Sequence, residues 1–201
     1  MARLSWILAG GAALAAAFVY RDQRETLDTV ASFPPEGETR FPRVTGLNLS
    51  RRAFHLPEDF EGELNVAIVA FKQRHQLDVN TWLPAVRDLA ARHEGLRYYE
   101  LPTIHSMNPV ARSFIDNGMR AGIPDLDARA ATITLYLDKA EFRRALDLPT
   151  EDRIYVLLVD REGNVMWRAE GRHSEAREGE LRDVVAEVLG AATDEQEASG
   201  S

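Results

Sequence analysis

The stretch LNVAIVAFKQRHQLDVNTWLP, residues 64–84, decides the fold. Its first eight residues form an almost continuous apolar run, as in strands that are buried on both faces of a sheet. Apolar side chains then recur at helical spacing from Thr81 to His93, with Pro84 in the first turn, where proline is tolerated. A buried strand that passes through a polar junction into a helix is typical of the α/β class.

Strands and helices alternate along the rest of the chain. Asn108, Asp138 and Ser174 are residues of the type that caps helix starts, and Gly118 and Gly190 are of the type that ends helices. The further predicted strands are a hairpin within 44–56 and residues 96–104, 132–137, 154–160 and 165–168. This order predicts a three-layer α/β sandwich with a mixed five-stranded core sheet and an N-terminal hairpin.

Composition predicts one folded domain between two non-globular ends. The chain has 201 residues, 45% hydrophobic and 28% charged, which is ordinary for a soluble domain. We expect a polar linker over residues 22–42, the domain over 43–190 and a disordered acidic tail over 191–201. The net charge of −8 argues against a nucleic-acid partner, which favours basic surfaces.

The first 21 residues are predicted to be a hydrophobic anchor or signal. Residues 4–20 are uncharged, and their number is near the lower limit for a membrane-spanning helix. Trp6 and Tyr20 stand at the two ends like interfacial aromatic residues, which favours an anchor. We expect the domain to lie outside the cytoplasm. A cleaved secretory signal, with Ala15 to Ala17 as the small-residue cleavage site, is the alternative.

The residue types exclude several kinds of chemistry. The chain has no cysteine, so it forms no disulfide, thiolate nucleophile or iron–sulfur cluster. The histidines show no spacing typical of a metal site, and no serine stands in a nucleophile motif. We therefore expect no metal, no cofactor and no catalytic residue of these classes.

Two segments near the C-terminus extend the pattern to a known superfamily. They are ITLYLDKAEFRRALDLP, which begins at residue 133, and IYVLLVDREGNVMWRAEG, which begins at residue 154. With the strand and helix of residues 64–84, this order resembles the thioredoxin-like superfamily in its peroxiredoxin-type form. If Pro84 is the proline of that family's first helix, the resemblance places Gln76 and Val79 where the two thiols stand. The family's cis-proline is also missing before Ile154, so the resemblance implies a redox-inactive domain.

Three short motifs are most similar to a family of ATP synthase assembly factors with a thioredoxin-like fold. They are MRAGIP at residues 119–124, YVLLVD at 155–160 and VMWRAEG at 165–171. This resemblance implies a membrane-associated factor that is not an enzyme and that binds a protein partner.

Two polar segments are candidate binding sites. The first lies between the strand of residues 64–71 and the helix after it, where ligands gather in open α/β sheets. The second is predicted to be a loop at the end of a helix, where an arginine can meet an anion. Caps, core packing and a helix stop explain the same residues without a function. The candidate binding residues are Gln73, His75, Gln76, Asp78, Trp82, His105, Asn117, Arg120 and Arg153.

Two other functions remain open from the sequence. An enzyme could reuse the cleft with His75, Asp78 or His105 as acid–base groups. A receptor for a small anion could use Arg74, Arg120 and Arg153.

Overall fold

The protein folds around a single mixed sheet of seven strands. The structure, a computed structural model, describes residues 39–199, with side chains described as far as residue 190. The predicted anchor and most of the predicted linker, residues 1–38, lie outside the described residues. The strands are β1 (Val44–Asn48), β2 (Ala53–Leu56), β3 (Leu64–Ala70), β4 (Leu96–His105), β5 (Ile133–Leu137), β6 (Tyr155–Asp160) and β7 (Val165–Glu170).

Helices cover both faces of this sheet. A short 3-10 helix, Gln73–His75, leads into the first α-helix. The α-helices are α1 (Gln76–Arg92), α2 (Pro109–Gly122), α3 (Leu126–Ala131), α4 (Lys139–Ala145) and α5 (Glu175–Ser199). Helices α1 and α5 pack on one face and α4 on the other. This is the predicted three-layer arrangement.

The strand order is β2-β1-β5-β4-β3-β6-β7, with β3, β4 and β5 parallel to one another. The five predicted core strands are β5, β4, β3, β6 and β7, and the predicted N-terminal hairpin joins the same sheet by pairing β1 with β5, so the whole sheet has seven strands. Gly46 permits this pairing, since a Cβ there would lie 2.7 Å from Ile133 Cγ2. A hairpin cannot be assigned to a sheet edge from its own sequence.

Strand β3 is the centre of the core, as its apolar run predicts. Leu64, Val66 and Ile68 pack with α1 and α5 on one face. Ala67 and Val69 point to the opposite core, which includes α4. Successive side chains of a strand point to opposite faces, so a strand covered on both faces is apolar nearly throughout.

The described chain begins at the amino end of this central strand. The Phe41 N–H donates to the Gly163 carbonyl oxygen at 2.7 Å, and Arg40 forms a bridge with Asn164 in the turn between β6 and β7. That turn follows Asp160, which pairs with Leu64 at the start of β3. Helices α1 and α2 begin at the other end of the sheet, because they follow the carboxyl ends of β3 and β4.

The predicted helix starts at Asn108, Asp138 and Ser174 are confirmed. The Asn108 and Asp138 side chains accept hydrogen bonds from N–H groups in the first turns of α2 and α4, and Ser174 Oγ accepts from the Arg177 N–H at 3.4 Å. These side chains satisfy donors that have no partner within the helix.

Several predicted helix bounds are wrong. Helix α1 begins at Gln76 rather than Thr81, so Pro84 lies inside it and not in its first turn. Helix α2 continues past Gly118 to Gly122, and Gly118 keeps a helical conformation within it. Helix α3 was not predicted, and α5 runs past Gly190 to Ser199 through alanine-rich and polar residues that favour helix.

Among residues 39–199, no helix is both long and apolar enough to cross a lipid bilayer.

Candidate functional site

The first candidate site centres on Gln76, the first residue of α1. Its Nε2 donates to Glu100 Oε2 on β4 at 3.1 Å and to Asn80 Oδ1 one turn later at 3.0 Å. An amide therefore occupies the helix start where the superfamily resemblance places the first thiol. The position of the second, Val79, is buried in the core. Neither side chain can exchange a disulfide.

Glu100 is a buried acid at the floor of this site. Its residue is 6% exposed, and burial raises the pKa of its carboxyl, while the Gln76 hydrogen bond and the more distant Arg87 lower it. Within the described part of the chain Gln76 is its one hydrogen-bond donor, and no cation lies at ion-pair distance. The neighbouring Gln76 amide is therefore the protein group that orients the Glu100 carboxyl.

His75 is buried and holds the backbone of the junction. Its Nδ1 accepts from the Phe71 N–H at 3.3 Å, which places the ring proton on Nε2. No acceptor within the described residues bonds that Nε2. Burial lowers the pKa of His75, and the charges of Arg74 and Lys72 lower it further, against the opposing effect of Asp78. The ring is therefore a neutral structural group.

Trp82 ties α1 to the loop between β7 and α5. It has no exposed surface, and its Nε1 donates to the Gly171 carbonyl oxygen at 2.9 Å. The His173 ring packs edge-on against it at 5.2 Å, and Arg172 pairs with Asp78 at 3.2 Å. Trp82 therefore has no exposed surface that could contact a ligand. It packs in the core, which was the alternative to a binding role in the sequence analysis.

The loop before β6 closes one side of the junction with ion pairs. Asp152 pairs with Lys72 and Arg74, and Arg153 pairs with Glu170 at 3.0 Å. The cis peptide of the described chain is Leu56–Pro57, far along the sequence from this loop. The loop is thus held by exposed charges, which contribute little stability each.

Helix α2 carries the second candidate site. It turns charged residues toward the sheet and leaves Val110 and Phe114 exposed to solvent. Its charged residues point to the sheet: Tyr136 Oη donates to Asp116 Oδ1 at 2.7 Å, and the Arg112 guanidinium lies over the Tyr136 ring at 5.1 Å. Arg120 Nε donates to the Leu49 carbonyl oxygen at 2.8 Å. Although the helix has 14 residues, none of them is buried.

The outward face of α2 carries no charge. We define it by its exposed residues at helical spacing, which are Val110, Ser113, Phe114, Asn117 and Ala121. Val110 is 81% exposed and Phe114 is 82% exposed. Leu77, the second residue of α1 at the same end of the sheet, is 71% exposed. Helices on globular domains normally turn such side chains toward the core.

The structure does not bring the predicted acid–base or anion-binding residues together. His75 bonds Phe71, Asp78 pairs with Arg172, and His105 lies exposed where β4 ends. Among the three arginines, Arg74 and Arg153 have separate acidic partners, and Arg120 bonds the Leu49 backbone. Gln73 and Asn117 are exposed, and of the candidates only Asn117 shares the outward face of α2.

Sequence reasoning did not include Glu100, Val110 and Phe114 among the candidate site residues. Val110 and Phe114 were assigned to an apolar face without an orientation. A signal was present, because Arg112, Asp116 and Arg120 recur every fourth residue and form a charged stripe opposite them. For Glu100 the signal was a single acid within an otherwise mostly apolar strand.

No protein-family model matches the chain, and no curated protein matches it in sequence. Solved structures do match. BsSco, a member of the Sco family of cytochrome c oxidase assembly proteins, is 15% identical over 74% of this chain and 93% of its own, with a TM-score of 0.52. A putative thiol:disulfide interchange protein DsbE from Chlorobium tepidum is 13% identical over 76% of this chain and 96% of its own, with a TM-score of 0.47.

A third match is the exposed lipoprotein thioredoxin of Streptococcus pneumoniae strain TIGR4. It is 13% identical over 73% of this chain and 97% of its own, with a TM-score of 0.45. At such low identity these likenesses concern the fold alone, and the Sco-family match supports it. The chain has the thioredoxin-like fold that its sequence predicts, and it builds that fold without cysteine.

Proposed function

We propose that this protein is a membrane-tethered, redox-inactive thioredoxin-like domain that binds a protein partner through the outward face of α2. The observation that carries the proposal is the reversed amphipathicity of this helix. Val110 and Phe114 face solvent while Arg112, Asp116 and Arg120 face the sheet. Polar contacts hold α2 in place, so its apolar side chains are available to another molecule.

The energetics favour a partner. Burying an exposed phenylalanine or valine side chain contributes roughly 1.5–3 kcal/mol. Aromatic residues that are surrounded by uncharged neighbours are typical of the central part of protein interfaces. Phe114, between Ser113 and Asn117 on the exposed face, has these surroundings.

The absence of cysteine excludes disulfide exchange and thiol peroxidase chemistry. An enzyme of another class loses support because His75 is buried and neutral, and Asp78 is paired with Arg172. A receptor for a small anion loses support because its three arginines are engaged at separate places.

The finer proposal is an assembly factor for a membrane complex such as F-type ATP synthase. It rests on the three motifs that resemble the assembly-factor family. Several residues of those motifs serve this fold: Arg120 bonds Leu49, Tyr155 Oη donates to the Thr150 carbonyl oxygen at 2.9 Å, and Trp167 packs against Trp82. Residues 4–20 would tether the domain, with a cleaved signal as the alternative.

Site-specific photocrosslinking in the cells that make this protein tests the proposal. A photoreactive amino acid replaces Phe114 in the full-length chain, and the matched control replaces Glu162, an exposed residue in the turn between β6 and β7. We expect a discrete crosslinked membrane protein from position 114 and none from position 162. The absence of a crosslink from position 114, or an equal yield from position 162, would overturn the proposal.

A further inference from the structure

The sheet has two edge strands, β2 and β7, and the loop after β2 closes the first of them. The His55 N–H on that edge donates to Asp59 Oδ2 at 2.7 Å, and the His55 carbonyl oxygen accepts from the Asp59 N–H at 2.8 Å. The outward main chain of this β2 residue is therefore bonded within the domain. An edge strand with free main-chain groups can instead pair with another chain.

The first described residues begin to close the second edge, along β7. The Thr39 carbonyl oxygen accepts from the Val165 N–H at 3.4 Å, and Arg40 forms an antiparallel bridge with Asn164. Phe41 follows and is buried in the core, which anchors the start of this pairing. The described chain therefore enters the domain as the end of a strand that runs antiparallel to β7.

Beyond Val165 the outward edge of β7 has free main-chain groups. The Asn164 carbonyl oxygen and the Gly171 N–H are both bonded on the β6 side. The pairing with β6 shifts register once between them, and past that shift the strand alternates regularly. Counted back from Gly171, the main-chain N–H and carbonyl groups of Glu170 and Arg168 therefore face away from β6. No hydrogen bond to these outward groups occurs among the described residues.

The residues ahead of Thr39 have the composition of a short edge strand. They read PPEGE, residues 34–38. Alternate residues of a strand turn their main chain to the same neighbour, so Gly37 is the next residue that would face β7 after Thr39. Pro35, the one after that, has no N–H to donate, and proline in sheets is confined to edge strands and strand ends. The pairing can therefore extend through Gly37 and would end at Pro35.

Arg168 favours a glycine opposite it. Because of the register shift, Arg168 is the next outward-facing residue of β7 after Val165, so a continued strand would place Gly37 across from it. The Arg168 guanidinium donates to the carbonyl oxygens of Leu146 and Asp147, at 3.3 and 3.1 Å. Side chains of directly opposed residues share one face of a sheet, and a glycine has none that could compete for this space.

We infer that residues 37–39 run along β7 as an eighth strand of the sheet, with the main chain of Gly37 bonded to that of Arg168. This short strand closes the β7 edge with the chain's own residues, as the loop after β2 closes the other edge. It excludes a strand from another molecule, including a second copy of this chain. The inference concerns an edge of the sheet and does not depend on the partner proposed for α2.

Hydrogen exchange followed by nuclear magnetic resonance on the purified full-length protein tests the inference. The compared variants are Gly37→Pro, which removes the N–H that faces β7, and Glu38→Pro, which removes an N–H that faces away. We expect the Arg168 amide to exchange roughly 10-fold faster in Gly37→Pro than in the wild type, because loss of the pairing opens it to solvent. Glu38→Pro should leave its rate unchanged. The His55 amide, which is bonded to Asp59, is the reference and should not respond to either variant.

Three results would overturn the inference: an Arg168 amide that exchanges in the wild type as fast as an open amide, equal rates in the wild type and Gly37→Pro, or the same acceleration in both proline variants. Analytical ultracentrifugation of the same samples identifies the occupant of the edge. A monomer with a protected Arg168 amide supports pairing with residues 37–39. Protection that occurs only in a dimer and persists in Gly37→Pro would assign the edge to a second copy and overturn the inference.

Discussion

Helices α1 and α2 follow neighbouring parallel strands at the same end of the sheet, yet they treat their apolar residues in opposite ways. Helix α1 buries Val79, Trp82, Val86 and Leu89. Helix α2 buries no residue and turns Val110 and Phe114 to solvent. A helix at this end of the sheet can therefore bury its apolar face in the core or expose it to solvent, and the polar contacts of α2 with Tyr136 and Leu49 account for the second arrangement.

The largest expected effect comes from a substitution in α1, the helix that buries its apolar residues. Trp82→Ala removes a fully buried indole and its hydrogen bond to Gly171, and should lower the free energy of unfolding by about 3–5 kcal/mol. Urea denaturation followed by circular dichroism measures it. Phe114→Ala is the matched control, expected to change stability by less than about 0.5 kcal/mol. Equal losses would mean that both aromatic residues belong to the core.

The attachment of α2 is tested by Tyr136→Phe. The variant removes the hydrogen bond to Asp116, which should cost about 1.5 kcal/mol because the acceptor is a carboxylate. We expect faster hydrogen exchange at the amides of α2, with the amides of α1 unchanged. An effect spread evenly over both helices would contradict an attachment that is local to α2.

His75 makes the α1 junction sensitive to acid. Burial lowers its pKa, so as the pH falls below the ordinary value of 6.5 the unfolded chain takes up a proton that the folded chain resists. Stability is therefore complete above that value and declines below it, by at most about 1.4 kcal/mol per pH unit for one proton. Nearby charges are Lys72, Arg74 and Asp78.

Denaturation at pH 7.5 and pH 5.5 measures this decline, and His75→Gln is the control. The glutamine oxygen can accept the Phe71 N–H without titrating. We expect a smaller loss between the two pH values for the variant than for the wild type. Identical losses would assign the pH dependence to other groups.

The smallest expected effect comes from substitutions on the exposed face of α2. Replacing Val110 and Phe114 together by serine should change the free energy of unfolding by less than about 0.5 kcal/mol, because both side chains are exposed. The same variant should abolish crosslinking from a photoreactive residue at Asn117. A large loss of stability would show that these side chains already pack within the domain.

Much of the fold follows from local patterns. The apolar runs predict β3, β5 and β6, and short polar residues predict the starts of α2, α4 and α5. Continuous apolar runs and side-chain caps act over a few residues, so they can be read from a single sequence.

The errors have physical causes. Pro84 suggested a first turn, but it lies inside α1, where the packing of the buried helix face outweighs the helical hydrogen bond that a proline removes. Asn117 and Gly118 suggested a helix stop, although α2 continues to Gly122. The six-residue α3 is too short to show a period.

The candidate site was predicted less well than the fold. Gln76 lies just beyond the carboxyl end of β3, where the sequence places the first candidate site, whereas Trp82 and Arg120 are engaged inside the domain. A helical period reveals that a face is apolar and does not reveal which way it points. That direction depends on Tyr136 and Leu49, which belong to other strands and loops.

The turn at Gly163 fixes the position of the first described residues, because its carbonyl oxygen accepts the Phe41 N–H. Its φ of +87° suits glycine, and a Cβ there would lie 2.8 Å from Pro57 Cγ, so the turn that receives Phe41 is closely fitted. The described chain therefore starts near the amino end of β3. The starts of α1 and α2 lie at the opposite end of the sheet, beyond the seven residues of β3, roughly 20 Å away. A support attached ahead of Thr39 would hold the domain at one end of the sheet and leave the starts of α1 and α2 at the other.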